Sequence, residues 1–220
     1  MKAIVLAAGR GERMGDLTAV RPKPLLDVGG VPLIEHHVRR LAASGVAEIV
    51  INLSYRGTQI RERLGDGGRF GLSIAYSDEG EPPLETGGGI VQALPLLGSE
   101  PFLLVNSDIY TEFDFATLIG GPRVPALVLV PNPPHNAQGD FGIDAAGRVS
   151  AAAPLRTYAG IAVFTRQLFA GLAPGRRALK PLLDAAIGRH ELTAVKFDGV
   201  WLDVGTPERL EDACRIALRR

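Results

Sequence analysis

The chain reads as an α/β protein with a doubly wound, mostly parallel sheet and a small antiparallel extension, and three observations predict it. Short apolar runs alternate with amphipathic stretches through the first hundred residues, in the order strand, helix, strand, helix, strand. The runs AIVLAA and PFLLVNSD are apolar almost throughout and read as buried strands. Beyond residue 120 the rhythm loosens, and proline and glycine mark turns between short strands.

Each element follows in order. KAIVLAA is the first strand, and PLIEHHVRRLAASG is a helix with Pro32 in its first turn and Gly45 as a left-handed C-cap. AEIVIN is a strand, YRGTQIRERLG a helix and LSIAYS a strand. TGGGIVQALPLLG is a helix opened by a glycine tract, and PFLLVNSD is a strand that ends in an acid. Residues 120–158 contain GGPRVP, PNPPH and DAAGR around short strands such as ALVLVP, which predicts an antiparallel or mixed extension covering a pocket. TYAGIAVF is then a strand, ALKPLLDAAIG a helix, GVWLDV a strand and TPERLEDACRIALRR a capped terminal helix. One domain is expected over residues 1–220, with halves at 1–110 and 111–220, and no internal repeat is visible.

Composition excludes several classes of function. Lys and Arg total 24, as do Asp and Glu, so no net field draws the chain to nucleic acid or to an anionic membrane. Any anion must therefore be gripped by a local site. The one cysteine, Cys214, excludes an intramolecular disulfide and a cysteine metal cage and fits a reducing, cytoplasmic setting. The first residues lack a signal-peptide pattern, and no apolar stretch approaches the roughly 18 residues of a membrane span.

The stretch MKAIVLAAGRGERMGDLTAVRPKPLL carries the chemistry. A buried strand feeds a turn with Gly9 and Gly11, where missing side chains let successive backbone N–H groups face one anion. Met14 stands where a dinucleotide-binding GxGxxG turn has its third glycine, and no GxxxxGK followed by Ser or Thr occurs anywhere. Lys23 lies between Pro22 and Pro24, which restrict the loop and present its ammonium as a second phosphate ligand.

LAAGRGERM followed by PKPLL resembles the signature of the sugar-1-phosphate nucleotidylyltransferases. The likeness runs the length of the chain, through EPPLETGGG, LLVNSD and WLDVGTPERL. Within that family it is most similar to the bacterial N-acetylmuramate 1-phosphate uridylyltransferases of cell-wall recycling. The resemblance implies a Rossmann-like, GT-A-like nucleotide-diphospho-sugar transferase fold, with residues 1–110 binding nucleotide and 111–220 binding sugar. It implies transfer of UMP from UTP to a sugar 1-phosphate with release of pyrophosphate. On the matching motifs it implies nucleotide contacts from Ala8, Gly9, Gly11, Glu12, Arg13, Lys23, Glu85, Thr86 and Gly87. It implies sugar contacts from Asn106, Asp140, Tyr158 and Gly160, and Asp108 and Asp203 as ligands of Mg²⁺.

Chemistry supports this reading from the residues themselves. A phosphate monoester has its second pKa near ~6, so the nucleophile is already ionised at neutral pH and needs no general base. Positioning and charge neutralisation carry such a step. Asp108 and Asp203 each follow a strongly apolar strand and are expected at a carboxyl edge of the sheet, suiting Mg²⁺; the alternative is a strand-end aspartate capping a turn. Arg13 binds phosphate oxygens in a fork, and Lys23 acts as a point charge. By the same resemblance Glu85 to Gly87 match the loop that reads the base, whose ring the glycines would admit; on the residues alone they also fit a helix start capped by Thr86. The four histidines show no metal spacing: His36 and His37 diverge by about 100° on a helix, and all four, His135 least firmly, read as structural or surface residues. No GxSxG elbow occurs.

Two departures from the family pattern stand out. RMGDLT replaces the common RMxPLT, placing Gly15 and Asp16 beside the cradle, and AAAPLR replaces a Glu-Lys-Pro run that supplies a lysine for the sugar phosphate. Arg156 and Lys180 are both candidates for that lost charge. No hexapeptide repeat of an appended β-helix appears, and a monomer is expected. The competing readings are a guanylyl- or other nucleotidylyltransferase acting on mannose or heptose 1-phosphate, a Rossmann dehydrogenase, and a non-catalytic nucleotide-sugar sensor. A sensor should have lost Arg13, Lys23 or an aspartate, and this chain keeps all four.

Overall fold

Alternating apolar side chains on the central strands feed two cores, one on each face of a single sheet. Ala3, Val5 and Ala7 point into one core and Ile4 into the other; Leu103 and Val105 oppose Phe102 and Leu104 in the same way. The computed structural model describes residues 1–121 and 124–219. Parts of the GGPRVP turn and the last residue of the terminal helix segment lie outside the described residues.

The elements run β1 (Lys2–Leu6), the hairpin β2 (Asp27–Val28) and β3 (Val31–Pro32), α1 (Leu33–Ala43), β4 (Glu48–Leu53), α2 (Gly57–Leu64), β5 (Ser73–Asp78) and α3 (Glu85–Leu97). They continue with β6 (Phe102–Asn106), β7 (Ile109–Thr111), β8 (Ala126–Val130), β9 (Gly142–Ile143), β10 (Val149–Ser150) and β11 (Thr157–Phe164). The chain closes with α4 (Lys180–Gly188), β12 (Thr193–Lys196), β13 (Trp201–Asp203) and α5 (Pro207–Ala217).

Seven strands form the main sheet in the order β12-β8-β11-β6-β1-β4-β5. β11 runs antiparallel to both its neighbours, and the other pairings are parallel. Side chains of α1 and α2 fill the core on one face, and those of α3 and α4 fill the core on the other. This is the doubly wound, mostly parallel architecture that the periodicity predicts.

Three details differ from the sequence reading. ALVLV is not part of a covering extension: β8 is buried at every residue and lies inside the main sheet. Its unbroken apolar run is the mark of a strand covered on both faces. The extension is instead the short antiparallel pair β9–β10, and GVWLDV contributes β13 to a separate pairing with β7. The strand β12 has no expected counterpart, because TAVK is half-exposed and carries no strong alternation. Gly45 does follow α1 at φ +85°. Pro32 precedes the first helical residue, Leu33, by one place.

Two buried titratable side chains on α1 fasten the helix. Glu35 takes Arg63 Nε at 2.6 Å, Arg69 Nη2 at 2.8 Å and Arg39 Nη2 at 3.2 Å. Burial pushes its carboxyl up, but hydrogen bonds from Arg63 and Arg39 with the charges of Arg69 and Arg63 leave it below the usual range. His37 Nε2 lies 2.8 Å from the Ile109 carbonyl, and burial pushes the ring down to about 4. The imidazole is thus neutral in the fold and donates to β7 one residue beyond Asp108.

Because His37 is protonated more readily unfolded than folded, the unfolded chain gains a proton between the ordinary pKa of 6.5 and about 4. Its stabilisation is complete above that window and falls as pH drops through it. Urea unfolding from pH 7 to pH 4.5 should show this loss, and a His37→Gln variant should show a shallower slope over the same interval.

Candidate functional site: two joined cavities at the carboxyl edge

The carboxyl ends of β1, β4 and β6 open onto a cleft of about 500 Å³. Ala8, Gly9, Gly11, Glu12 and Arg13 line it from the turn after β1, and Lys23 and Asp108 line it from opposite sides. The turn continues into 3₁₀ structure over Glu12–Thr18, kinked at Gly15 where φ is +57° and ψ is −132°. That conformation suits glycine, so Gly15 has a backbone reason to be there. Asp16 is exposed and lines neither cavity, so its charge stays off the cleft wall.

Lys23 is 6% exposed, and its Nζ lies 2.9 Å from Asp108 Oδ2. Pro22 is extended as expected, but Lys23–Leu25 forms a 3₁₀ turn, so the PKP segment is only half extended. Gly11 is what lets the lysine approach. It sits at φ +69°, and a Cβ there would lie 2.9 Å from Lys23 Cβ. Glycine at this position thus serves the lysine as well as the turn.

Asp203 reaches the same region through β13. It pairs with Ile109, and the Val204 N–H donates to the Asp108 carbonyl at 2.8 Å, so the two aspartates occupy adjoining positions on paired strands. Asp203 Oδ2 accepts from Arg209 Nη1 at 2.7 Å and lies 3.3 Å from His135 Nε2. Asp203 does not line the cleft itself; Gly205 does. A Cβ on Gly205 would lie 3.0 Å from Asp203 Oδ1 and 3.1 Å from Arg13 Nη2, so guanidinium and carboxylate flank that glycine. His135, read from sequence as structural or surface, instead places its ring on an aspartate of the site. Among the described residues no group of three or more His, Cys, Asp and Glu side chains could hold a metal. Asp108 and Asp203, at adjoining backbone positions, are of the donor type Mg²⁺ takes, one or two carboxylates completed by phosphate oxygens and water.

The loop at the other wall differs from its sequence reading. α3 begins at Glu85 behind Leu84, and no side chain caps it, so Thr86 is its second residue and not a cap. Glu85 holds φ at +61°, strained for a residue with a Cβ, and its Oε1 pairs with Arg176 Nε at 2.8 Å. Glu85 and Thr86 line both cavities. Gly87 lines neither: a Cβ there would lie 2.9 Å from the carbonyl oxygens of Arg177 and Ala178. Gly87 and Gly88 thus lie close against the protein's own 175–178 segment, and Gly89 against Glu79 and Asn52.

Two residues that the sequence reading passed over tie the cleft together. Asn52, 3% exposed at the end of β4, accepts from the Ala7 N–H at 2.7 Å and donates to Glu79 Oε1 at 2.6 Å. Glu79 Oε2 in turn accepts from the Leu84 N–H at 2.7 Å. The signal was a polar residue closing the apolar run AEIVIN.

A second cavity of about 510 Å³ adjoins the first through Glu85, Thr86 and Asn106. Asp140 and Tyr158 line it, and Asp140 Oδ2 accepts from the Tyr158 N–H at 2.8 Å and from Asn136 Nδ2 at 3.2 Å. Burial drives the Tyr158 hydroxyl well above its ordinary range. Gly160 does not line the cavity. At φ +70° its missing Cβ leaves room for Asn106, whose Nδ2 would lie 2.7 Å from it. Of the two basic candidates, Lys180 lines this cavity, whereas Arg156 is turned onto Asp198.

A family model described as nucleotidyl transferase matches residues 2–143. The chain belongs to the nucleotidyl transferase family. It is 47% identical to an N-acetylmuramate alpha-1-phosphate uridylyltransferase of Neisseria meningitidis serogroup B, over 99% of this chain and 98% of that one. It is 33% identical to a Caulobacter vibrioides protein of the same description, over 98% of this chain and 96% of that one. A Mycobacterium tuberculosis mannose-1-phosphate guanylyltransferase is 31% identical over 94% of this chain and 61% of its own length. A Bacillus anthracis crystal structure assigned as a glucose-1-phosphate thymidylyltransferase superposes with TM-score 0.88 at 22% identity, covering 100% of this chain and 96% of that one, and shares the fold. The family and these relatives make the chain an enzyme of sugar-1-phosphate nucleotidylyl transfer. Among the described residues no helix is long and apolar enough to cross a membrane.

Replacing Asn52 by leucine in this nucleotidyl transferase leaves the Ala7 N–H and Glu79 without their partner. Stability should fall by about 2 kcal/mol in urea unfolding. The KM for nucleoside triphosphate should rise more than the KM for sugar phosphate, because the β1 turn and the α3 start lose their common tie.

Proposed function

We propose that this enzyme transfers UMP from UTP to N-acetylmuramate 1-phosphate, giving the UDP-sugar and pyrophosphate in the cytoplasmic recycling of peptidoglycan. The observation that carries this reading is the 47% identity to the Neisseria uridylyltransferase across nearly the whole of both chains. Two joined cavities agree with it, since the reaction needs a nucleotide and a sugar phosphate meeting at one edge. The single domain acts as a monomer, with residues 1–110 serving the nucleotide and 111–220 the sugar.

In this reading the triphosphate lies along Ala8, Gly9, Gly11 and Glu12, and its base meets Glu85 and Thr86, with Gly87 supporting that wall. The sugar occupies the second cavity against Asn106, Asp140 and Tyr158, with Gly160 fixing Asn106. Asp108 and Asp203 would hold Mg²⁺, which supplies Lewis-acid stabilisation and a template for the two phosphates. Lys23 leaves Asp108 for a phosphate oxygen as substrate enters, and Arg13 meets the departing phosphates from beside Gly205. The attacking phosphate is ionised already, so these residues position it and neutralise charge without taking a proton.

Pyrophosphate release with Mg²⁺ tests the assignment across UTP, GTP, CTP and dTTP against the 1-phosphates of N-acetylmuramate, N-acetylglucosamine, glucose, mannose and heptose. The expected result is a dominant UTP and N-acetylmuramate pair. Preference for GTP with mannose or heptose moves the reading to guanylyl transfer, and silence across the matrix favours a sensor. Arg13→Ala, Lys23→Met and Asp108→Asn should each lower kcat/KM roughly 10²-fold or more. Asp108→Asn should also lower stability, because it leaves the buried Lys23 ammonium without its carboxylate.

A further inference from the structure

The second cavity contains a cation that the reaction as described does not use. Among the described residues lining it, Lys180 alone carries positive charge at neutral pH. Lys180 opens α4, and its Nζ lies 2.7 and 2.8 Å from the two oxygens of Asp184, one turn further on. Both side chains are more than half exposed. An exposed pair of this kind is weak, so the ammonium is free to exchange its partner for an anion held against the cavity wall. The acids of the same wall have partners of their own: Asp140 accepts from Tyr158 and Asn136, and Glu85 is paired with Arg176.

The position of Lys180 decides which anion it meets. The reacting 1-phosphate must reach the first cleft, where Lys23 and Asp108 lie, and the cavities join at Glu85, Thr86 and Asn106. Lys180 lines the second cavity only. A group at Lys180 is therefore a substituent on the sugar ring and not the phosphate that reacts. Its surroundings are apolar, with Phe141, Leu179 and Leu183 on the same wall and the Phe141 ring centroid 5.6 Å from Nζ. The apolar side chains of that wall accept short aliphatic carbon.

We propose that Lys180 is a specificity-determining residue that pairs with a carboxylate carried on a short aliphatic arm of the sugar, favouring an acidic amino sugar over its neutral counterpart. This rests on the reading of N-acetylmuramate as the acceptor, whose lactyl ether is such an arm.

Steady-state kinetics of the intact enzyme with UTP and Mg²⁺ test it, using wild type, Lys180→Met and Lys180→Arg. The substrates are N-acetylmuramate 1-phosphate and N-acetylglucosamine 1-phosphate, which differ in the acidic arm; a Ki replaces KM where the neutral sugar turns over too slowly. Lys180→Met should raise KM for the muramate substrate about 10- to 100-fold with kcat changed less than about 3-fold, and should leave the neutral sugar unaffected. Lys180→Arg should recover most of the loss. Equal weakening of both sugars would reassign Lys180 to the phosphate, and an unmoved KM for both would remove it from the site; either overturns the proposal while leaving the assigned reaction intact. A wild type that prefers the neutral sugar would overturn the assigned substrate and the proposal together.

Discussion

The site depends on one buried amide. Asn52 binds the backbone leaving β1 with its oxygen and Glu79 with its nitrogen, and Glu79 holds the backbone entering α3. Three segments far apart in sequence are thereby fixed across one cleft by hydrogen bonds of 2.6 to 2.7 Å. Buried polar groups are costly unless satisfied, and here each bond satisfies a group that the cleft would otherwise strand. Gly89 is part of the same arrangement, since a Cβ there would collide with the Glu79 carboxylate and lie 2.8 Å from Asn52 Nδ2. The turn after β1 and the start of α3 cannot move apart without breaking that chain.

Charge around the two aspartates is balanced within the protein. Lys23 covers Asp108, and Arg209 and His135 cover Asp203. A buried carboxylate or ammonium without a partner would cost several kcal/mol, so the arrangement keeps the site intact before substrate arrives. Lys23, which lines the cleft, is also of the sign that complements a triphosphate. In the proposed reading, binding is an exchange of partners, in which incoming phosphate takes Lys23 from Asp108, and Asp108 and Asp203 would hold the divalent ion. Such exchange costs less than burying a new charge at the site, because Lys23 is already buried against a carboxylate.

Much of this was legible in the sequence because it is written in local pattern. The strand and helix rhythm, the glycine turn with Arg13, Lys23 between prolines, and acids closing apolar strands all lie within short windows. What the sequence hid depends on distant contacts. His135 reads as a lone surface histidine until β13 brings Asp203 to it, 68 positions along the chain. The glycines after Thr86 read as space for a ring, and the sequence does not show that Gly87 and Gly88 also abut the 175–178 segment and Gly89 the Glu79 and Asn52 side chains. ALVLV reads as part of a covering extension because proline and glycine turns surround it, and only its pairing with β11 and β12 places it inside the main sheet. Arg156 and Lys180 could not be separated by spacing, because their partners Asp198 and Asp184 are equally ordinary in sequence.

Three residues belong to both cavities, and this limits how the enzyme can be retuned. Glu85 carries backbone strain at φ +61°, Thr86 follows it into α3, and Asn106 is seated against Gly160 at the bulge of β11. A change at any of them alters nucleotide and sugar together. The walls of the second cavity beyond that edge have no such constraint: Phe141 precedes the two-residue strand β9, and Lys180 and Leu183 lie on α4, none of them in the first cleft. Sugar choice can therefore vary on this outer wall while the reacting edge stays fixed. In the proposed reading that division lets one reacting edge serve relatives named for muramate and for mannose 1-phosphate.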